Sequence, residues 1–339
     1  MSEDKTNEND KGKKNNVGAV IGGVLGFSGL AAAGAAAGSA AFFYDFSLTP
    51  KKHDVRNDRN PSEKDYVAGR RWMHEHPLRR DLYITSGDGL LLHANYIPSA
   101  DKNCHRYAIC VHGYADTSES MGLYARHYYD VYGMNVLLPD LRGHGGSEGD
   151  YVGMGLHDSK DIARWITRIT QMDPEAVIIL HGISMGAATV LMTTGRELPD
   201  CVKAAVSDAS YTSAYEEFKF VYGTLPNTII PADVMMEMVR AITRVRAHYD
   251  LRKAAPVDAV KTSKTPTLFI HGDADDFVPS NMMPQIYEAA ACRKEFAWFS
   301  GAKHVQSVVR EPEGYWNTVD HFLDRISPDI LHDSQKTDQ

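Results

Sequence analysis

Short apolar runs alternate with amphipathic stretches along most of this chain, and the alternation predicts a sheet covered by helices. Eight runs, rich in β-branched and aromatic side chains, have the pattern of strands. They lie at residues 82–85, 90–96, 107–111, 135–138, 177–180, 203–206, 267–270 and 295–299. Helical patterns occur at about 121–131, 158–169, 187–192, 283–291 and 313–326. Strands that alternate with helices favour an α/β fold with a mostly parallel, doubly wound sheet of about eight strands.

Two segments of this globular domain, which we place at residues 81–326, depart from the alternation. The first two strand patterns flank the turn sequence SGDG at 86–89, so we expect an antiparallel hairpin at the sheet edge. Residues 211–255 have a helical, Met-rich pattern with no strand in it. We interpret this stretch as an inserted helical cap. Its apolar residues include Phe218, Phe220, Met235, Met236 and Met238.

The N-terminal region predicts a membrane segment. Residues 1–16 form a polar tail. Residues 17–43 carry no charge, and this segment is long enough to cross a bilayer. We therefore predict a single-pass transmembrane anchor at 17–44. A cleaved signal peptide is an alternative, because small residues at 35 and 37, and at 39 and 41, offer cleavage sites. A buried or disordered Ala/Gly segment is a third interpretation.

The orientation of this anchor rests on the basic residues around it. Lys11, Lys13 and Lys14 abut the apolar segment and favour a cytoplasmic tail with the globular domain outside the cell membrane. Basic residues at 51, 52, 56 and 59 follow the segment and nearly balance them. Residues 45–80 are predicted to form a linker that packs on the domain, and residues 327–339 form a second polar tail.

Composition narrows the classes of function. The net charge of −8 and the absence of a basic stripe argue against a nucleic-acid partner. The four cysteines form no C-x-x-C pair, and no H-E-x-x-H motif occurs, so we predict neither a metal site nor a disulfide framework. The sequence gives no indication of the oligomeric state.

Residues 177–192, VIILHGISMGAATVLM, carry the strongest chemical signal. A buried-strand pattern leads through Gly182, Ser184 and Gly186, a G-x-S-x-G motif, into a small, apolar helix. This is the context of a nucleophile elbow, in which a strained turn holds a serine at the carboxyl edge of a sheet. We predict that Ser184 is the nucleophile and that the backbone N–H of Met185 faces a developing oxyanion.

A nucleophilic serine needs a histidine base and an acid that orients it. Residues 270–279, IHGDADDFVP, follow a strand directly, and we choose Asp275 as the acid. Asp273, Asp276 and Asp208 are alternatives for this role. His304 follows the last strand and is the predicted base. Three other histidines, at 112, 181 and 271, each immediately precede a glycine at a strand end and are expected to shape loops.

The second oxyanion donor is expected in the loop after the third strand. There His112, Gly113 and Tyr114 follow the run 107–111, and we predict the backbone N–H of Tyr114 as the donor. It would act together with the N–H of Met185.

Five motifs now stand in order: HGY at 112–114, PDLRGHG at 139–145, the elbow at Ser184, G-x-x-D-x-x-V-P at 272–279 and G-x-x-H at 301–304. Together they resemble the α/β-hydrolase superfamily, in its serine aminopeptidase S33 or monoacylglycerol-lipase-like branch. The apolar segment followed by FFYDF at 42–46 looks like membrane-anchored bacterial hydrolases. The resemblance covers about residues 81–326. It implies that the 139–145 loop is structural.

We therefore predict a serine hydrolase that cleaves carboxylic esters through an acyl-enzyme. The expected substrate is a small-molecule ester or acyl compound, and no cofactor is expected. A serine peptidase or amidase of the S33 type is the alternative. It would need an acid to recognise a free amine, and the cap offers Glu216, Glu217 and Glu237. A catalytically inactive, membrane-tethered binding protein is an alternative of another class.

Overall fold

The computed structural model describes residues 34–50 and 63–331. The N-terminal polar tail, the predicted anchor up to residue 33, part of the predicted linker at 51–62 and most of the C-terminal tail lie outside these residues. Within them, strands and helices alternate along the chain as the sequence predicted.

Eight strands form one sheet, in the order β1-β2-β4-β3-β5-β6-β7-β8. β1 and β2 form the predicted antiparallel edge hairpin, β2 is also antiparallel to β4, and all other neighbours are parallel. The strand bounds are β1 Arg80–Thr85, β2 Leu91–Ile97, β3 Arg106–Val111, β4 Asn135–Pro139, β5 Val177–Ile183, β6 Val202–Asp208, β7 Thr267–Gly272 and β8 Lys294–Phe299.

Helices cover both faces of this sheet. The first helix, α1, spans residues 34–48. The others are α2 Glu63–Glu75, α3 Gly122–Tyr132, α4 Asp158–Met172, α5 Met185–Thr194, α6 Ala214–Thr224, α7 Ala232–Arg246, α8 Pro256–Ala259, α9 Met282–Ala289, α10 Ser307–Arg310 and α11 Pro312–Ile326. The bounds of α3, α4, α5, α9 and α11 agree with the five predicted helical patterns to within a few residues.

The central strands are mostly apolar because both of their faces are buried. In β3, Tyr107, Ile109 and Val111 pack into one core with α1, α4, α5 and the cap helices. The alternate residues Ala108 and Cys110 pack into a second core with α2, α3 and α11. Successive side chains of a strand point to opposite faces, so one short run supplies both cores.

The predicted cap consists of α6 and α7, inserted between β6 and α8. Met235 and Met236 of α7 are buried in the core beneath the cap, whereas Phe220 of α6 is exposed at the surface. The expected apolar roof of methionines and phenylalanines is therefore only partly present. Of the five apolar cap residues, only Phe218 lines the cavity that holds Ser184.

α1 includes the end of the predicted anchor and packs on the cap. The Phe43 ring makes edge-to-face contacts with Phe218 and Tyr222, with centroids 6.1 and 5.6 Å apart. Asp45 accepts a hydrogen bond of 2.6 Å from Arg246 of α7. No helix within residues 34–50 and 63–331 is both long and apolar enough to span a membrane.

Helix α2 lies in the predicted linker and packs on α3. A Cβ on Gly122 of α3 would overlap the carbonyl oxygen of Gly69 in α2. The Tyr66 hydroxyl of α2 donates to the carbonyl oxygen of Val305, 2.9 Å away. Through this bond α2 holds the loop that carries His304.

Candidate active site

Ser184 occupies a sharp turn between β5 and α5. Its φ of 52° and ψ of −120° are strained for a residue with a side chain. The backbone N–H of Ser184 donates to the carbonyl oxygen of Asp208, 2.8 Å away, which ties the turn to the end of β6. The turn thus has the geometry that the G-x-S-x-G motif predicts.

The two glycines of the motif are required by close contacts between backbones. A Cβ on Gly182 would overlap the carbonyl oxygen of Gly186, and a Cβ on Gly186 would overlap the carbonyl oxygen of Val111. A side chain at either position would force β5, α5 and β3 apart. The two glycines therefore allow the close packing that fixes the position of Ser184 at the edge of the sheet.

The side chains of Ser184, His304 and Asp275 form a continuous hydrogen-bonded chain. His304 Nε2 lies 2.9 Å from Ser184 Oγ, and His304 Nδ1 lies 2.8 Å from Asp275 Oδ2. With Asp275 ionised, Nδ1 carries the proton and donates it to the carboxylate. Nε2 is then free to accept the proton of the Ser184 hydroxyl.

Asp275 is held as a carboxylate. Burial by itself would raise its pKa, but hydrogen bonds from His271 and His304 outweigh burial and hold the pKa well below the usual range. Its second oxygen, Oδ1, accepts the backbone N–H groups of Phe277 and Val278 at 3.0 and 2.9 Å. A fixed negative charge therefore faces the imidazole of His304.

The other three candidate acids have partners other than His304. Asp276 forms an exposed ion pair with Lys303, 3.1 Å long. Asp208 is buried, accepts the Tyr315 hydroxyl at 3.1 Å, and has its pKa raised to about 7 by burial. Asp273 accepts the backbone N–H of Gly301. Of the four acids that the sequence offered, the structure brings only Asp275 to His304.

His271 contacts the acid directly, which sequence reasoning missed. Its Nε2 lies 3.2 Å from Asp275 Oδ2 and 3.1 Å from the carbonyl oxygen of Val278. The signal was its position at the end of β7, four residues before Asp275. His112 does shape a loop, since its Nε2 accepts the backbone N–H of Leu141 at 3.0 Å.

The predicted oxyanion residues lie in two segments that adjoin Ser184 in the fold. Met185 is the first residue of α5, immediately after Ser184. Tyr114 follows Gly113, where a Cβ would lie 3.4 Å from Ser184 Cβ, so this loop approaches the serine closely. The Tyr114 hydroxyl donates to the carbonyl oxygen of Ser47 at 2.8 Å, which ties the loop to α1.

The loop at 139–145 is held by buried charges of its own. Asp140 accepts the backbone N–H groups of Ser118 and Gly146 and contacts His93 Nδ1 at 2.7 Å. Burial opposes ionisation, but the hydrogen bonds from His93 and from these two backbone N–H groups contribute to a larger opposite effect, and the pKa of Asp140 is lowered to about 2. Arg142 is buried against Asp161 at 2.7 Å. These contacts hold the loop in its conformation, as the predicted structural role requires.

Ser184 and His304 open into a cavity of about 590 Å³. Its walls are largely apolar and come from the sheet, α1 and the cap, including Phe46, Tyr114, Met154, Ile183, Tyr211, Phe218, Val221, Phe277 and Val278. Its charged lining residues are Arg70, Asp116 and Glu217. Among the described residues, no group of three or more His, Cys, Asp or Glu side chains is placed to hold a metal ion.

A sequence model of the alpha/beta hydrolase family matches residues 108–318, which run from β3 into α11. The chain belongs to the alpha/beta hydrolase family. Among curated relatives of this hydrolase, YqkD of Bacillus subtilis is 25% identical over 202 residues, which are 59% of this chain and 66% of the relative.

Two solved structures resemble this hydrolase in fold. The esterase Pf2001 of Pyrococcus furiosus is 22% identical, with a TM-score of 0.55, over 73% of this chain and 92% of the esterase. An acylaminoacyl peptidase of Pyrococcus horikoshii is 21% identical, with a TM-score of 0.55, over 73% of this chain and 41% of the peptidase. The hydrolase thus shares its fold with an esterase and a peptidase.

Proposed function

We propose that this chain is a serine hydrolase that cleaves carboxylic esters by two-step acyl transfer. The observation that carries the proposal is the continuous chain Ser184–His304–Asp275, with distances of 2.9 and 2.8 Å, on a strained turn that opens into an apolar cavity. A serine hydroxyl becomes a good nucleophile only beside a base, and this geometry supplies one.

In the first step, Ser184 Oγ attacks the ester carbonyl carbon while His304 Nε2 takes the hydroxyl proton. The carbonyl oxygen gains the negative charge, and the backbone N–H groups of Met185 and Tyr114 stabilise it. His304 then gives its proton to the leaving alcohol, and the acyl group remains on Ser184. Asp275 stabilises the imidazolium that exists between these transfers.

In the second step, water attacks the acyl-enzyme. His304 takes the proton of the water, the acid product leaves, and the proton returns to Ser184 Oγ. All proton transfers use protein groups, so the proposed reaction needs no cofactor. The apolar walls of the cavity favour acyl groups of small to medium size and lipid-like esters.

Peptide or amide cleavage is the second candidate function. It uses the same triad, and one observation favours it: Glu217 of the cap lines the cavity and offers a carboxyl group to a substrate amine. The acylaminoacyl peptidase neighbour is consistent with this chemistry on the same fold. An amine is a poorer leaving group than an alcohol, so we expect ester turnover to be the faster reaction.

We also propose that residues 17–43 anchor the hydrolase in the cell membrane as a single pass, with the domain outside. The support is the charge-free sequence of these residues. Its last ten residues lie in α1, where Ala40 and Phe43 pack on the domain and Phe42 is exposed, as is Phe46. Phe46 also lines the cavity, so the anchor would hold the entrance near a lipid surface. A signal peptide cleaved after Ala37 or Ala41 would instead release the protein.

The test of the triad uses the full chain in detergent. Wild type is treated with a fluorophosphonate probe and assayed on p-nitrophenyl esters from acetate to decanoate, beside Ser184→Ala. Ser300→Ala, at an exposed serine, is the control. We expect labelling and turnover in wild type and in the control, and neither in Ser184→Ala. Labelling that persists in Ser184→Ala, or wild type without labelling or turnover, would overturn the proposal and favour a binding protein.

Membrane location is tested separately, by fractionation of cells and protease digestion from the outside. A membrane-bound domain that external protease removes supports the anchor and its orientation. Recovery of the processed protein in the external medium would support the cleaved signal peptide instead.

A further inference from the structure

Glu217 is a buried carboxyl group inside the proposed substrate cavity. It lies on α6, is 3% exposed, and lines the same cavity as Ser184 and His304. Among the described residues, neither Oε1 nor Oε2 of Glu217 has a hydrogen-bond partner. Phe218 and Val221 of the same helix line the cavity beside it.

Such a group is costly to the folded protein. A buried polar group without a partner loses its bonds to water and gains nothing in return. Burial, together with the negative charge of Asp275, raises the pKa of Glu217 to about 8. Arg70 lines the same cavity, but it makes no hydrogen bond to either oxygen of Glu217. The packing of α6 would be served better by an apolar side chain at this position.

Glu216, the preceding residue, shows the contrast. It is exposed, and its backbone N–H donates to the N-cap Ser213 at 3.2 Å. An acid in the first turn of a helix is favourable without being buried, because the positive end of the helix dipole attracts it. The cost at Glu217 therefore needs an explanation beyond the helix itself.

We propose that Glu217 binds a hydrogen-bond-donating group of the substrate, an ammonium or a hydroxyl group, and so selects among acyl substrates. This inference rests on the proposed hydrolase function and names the substrate class. A substrate that brings such a donor into the cavity satisfies the carboxyl group, whereas an alkyl chain leaves it unpaired. Because the cavity walls are largely apolar, few other groups can satisfy this carboxyl, and a site that hydrogen-bonds one substrate discriminates against an analogue that lacks the donor.

The test compares matched substrates on the full chain in detergent. One series contains p-nitrophenyl esters with acyl chains of four to eight carbons that end in a methyl, hydroxymethyl or aminomethyl group. A second series places the same groups on the alcohol side of acetate esters. The ratio of kcat/KM between a polar ester and its alkyl match cancels any general change in the active fraction of the enzyme.

We expect wild type to prefer the amino or hydroxy ester over its alkyl match by about tenfold or more in one series. Glu217→Gln should weaken that preference and Glu217→Leu should abolish it, with faster turnover of the alkyl esters by the leucine variant. Glu216→Gln is the control and should keep the wild-type ratio. A preference for amino over hydroxy esters would identify the ammonium as the partner.

The inference is overturned if wild type hydrolyses the alkyl esters equally well or better in both series. It is also overturned if Glu217→Leu retains the polar preference. These outcomes leave the proposed function intact, because turnover remains and depends on Ser184. An absence of turnover of every ester would instead overturn the proposed function and this inference with it.

Discussion

His271 Nε2 lies 3.2 Å from Asp275 Oδ2. The same carboxylate oxygen lies 2.8 Å from His304 Nδ1, so two histidines share one oxygen of the acid. His271 is fully buried at the end of β7. Its N–H favours the charged form of Asp275 and fixes the direction in which the carboxylate faces His304.

Loss of this bond should impair the acid without removing it. In His271→Leu, the pKa of Asp275 rises toward its usual value, because one hydrogen bond to the charged form is gone. We expect kcat/KM to fall about tenfold, since a hydrogen bond to a charged group contributes roughly 1.5–3 kcal/mol. The acidic limb of the pH profile should move to higher pH.

Two variants separate this positioning role from packing. His271→Gln places an N–H at similar reach and should restore part of the activity and of the pH profile. His321→Gln, at an exposed histidine of α11, should leave both unchanged. An unaltered pH profile in His271→Leu would contradict the role.

Glu217 should make stability depend on pH in an unusual direction. Its pKa is raised to about 8 in the folded protein, above the usual value of 4.5. Between these values the unfolded chain has lost the proton and the folded protein has kept it. The unfolded state thus binds fewer protons, and the free energy of unfolding falls as pH rises through this window.

Glu217→Gln removes that dependence. Its stability advantage over wild type should grow between pH 5 and 8 by an amount on the order of a few kcal/mol. Denaturant unfolding at both pH values measures it, with Glu216→Gln as the control. An advantage that stays constant with pH would show that Glu217 titrates normally.

The elbow glycines should tolerate no side chain. In Gly186→Ala the new Cβ would overlap the carbonyl oxygen of Val111, so we expect a loss of about 2 kcal/mol or more in stability and loss of probe labelling. Gly223 provides the matched control, because nothing lies within 4 Å of a Cβ there. Gly223→Ala, near the end of α6, should be neutral or slightly stabilising. Thermal melting distinguishes the two.

The packing of α1 on the cap is tested by two adjacent phenylalanines. Phe43 is 6% exposed and contacts Phe218 of the cavity wall, whereas Phe42 is 73% exposed. Phe43→Ala should cost about 3 kcal/mol and alter the preference for ester chain length. Phe42→Ala should change stability by less than about 0.5 kcal/mol. Equal effects in thermal melts would argue against the observed docking of α1.

Much of the fold was readable from local patterns. The apolar runs marked all eight strands, because strands that are buried on one or both faces consist mostly of apolar residues. The elbow could also be predicted. Only glycines fit where backbones touch, so the spacing of Gly182, Ser184 and Gly186 identifies the turn from the sequence. The chain order of serine, acid and histidine followed from the topology of a parallel sheet, whose strand ends meet at one edge.

The sequence did not determine which way several side chains point or which residues of separate segments come into contact. Four aspartates had suitable positions after strands, and only the folded loop after β7 turns Asp275 toward His304 while Lys303 holds Asp276 at the surface. The composition of the cap predicted its helices, but not which faces of α6 and α7 point inward. In the structure Met235 and Met236 of α7 are buried in the core, and Glu217 of α6 lines the cavity.

The amino-acid sequence alone thus determined the strands, the elbow and the order of the chemical groups, since these depend on local periodicity and on steric limits between near neighbours. Tertiary structure decided which acid meets the base, that His271 supports it, and that an unpaired carboxyl lies in the cavity. Those relations join residues of separate segments. They depend on how helices and loops pack over the sheet edge, and no local pattern encodes that packing.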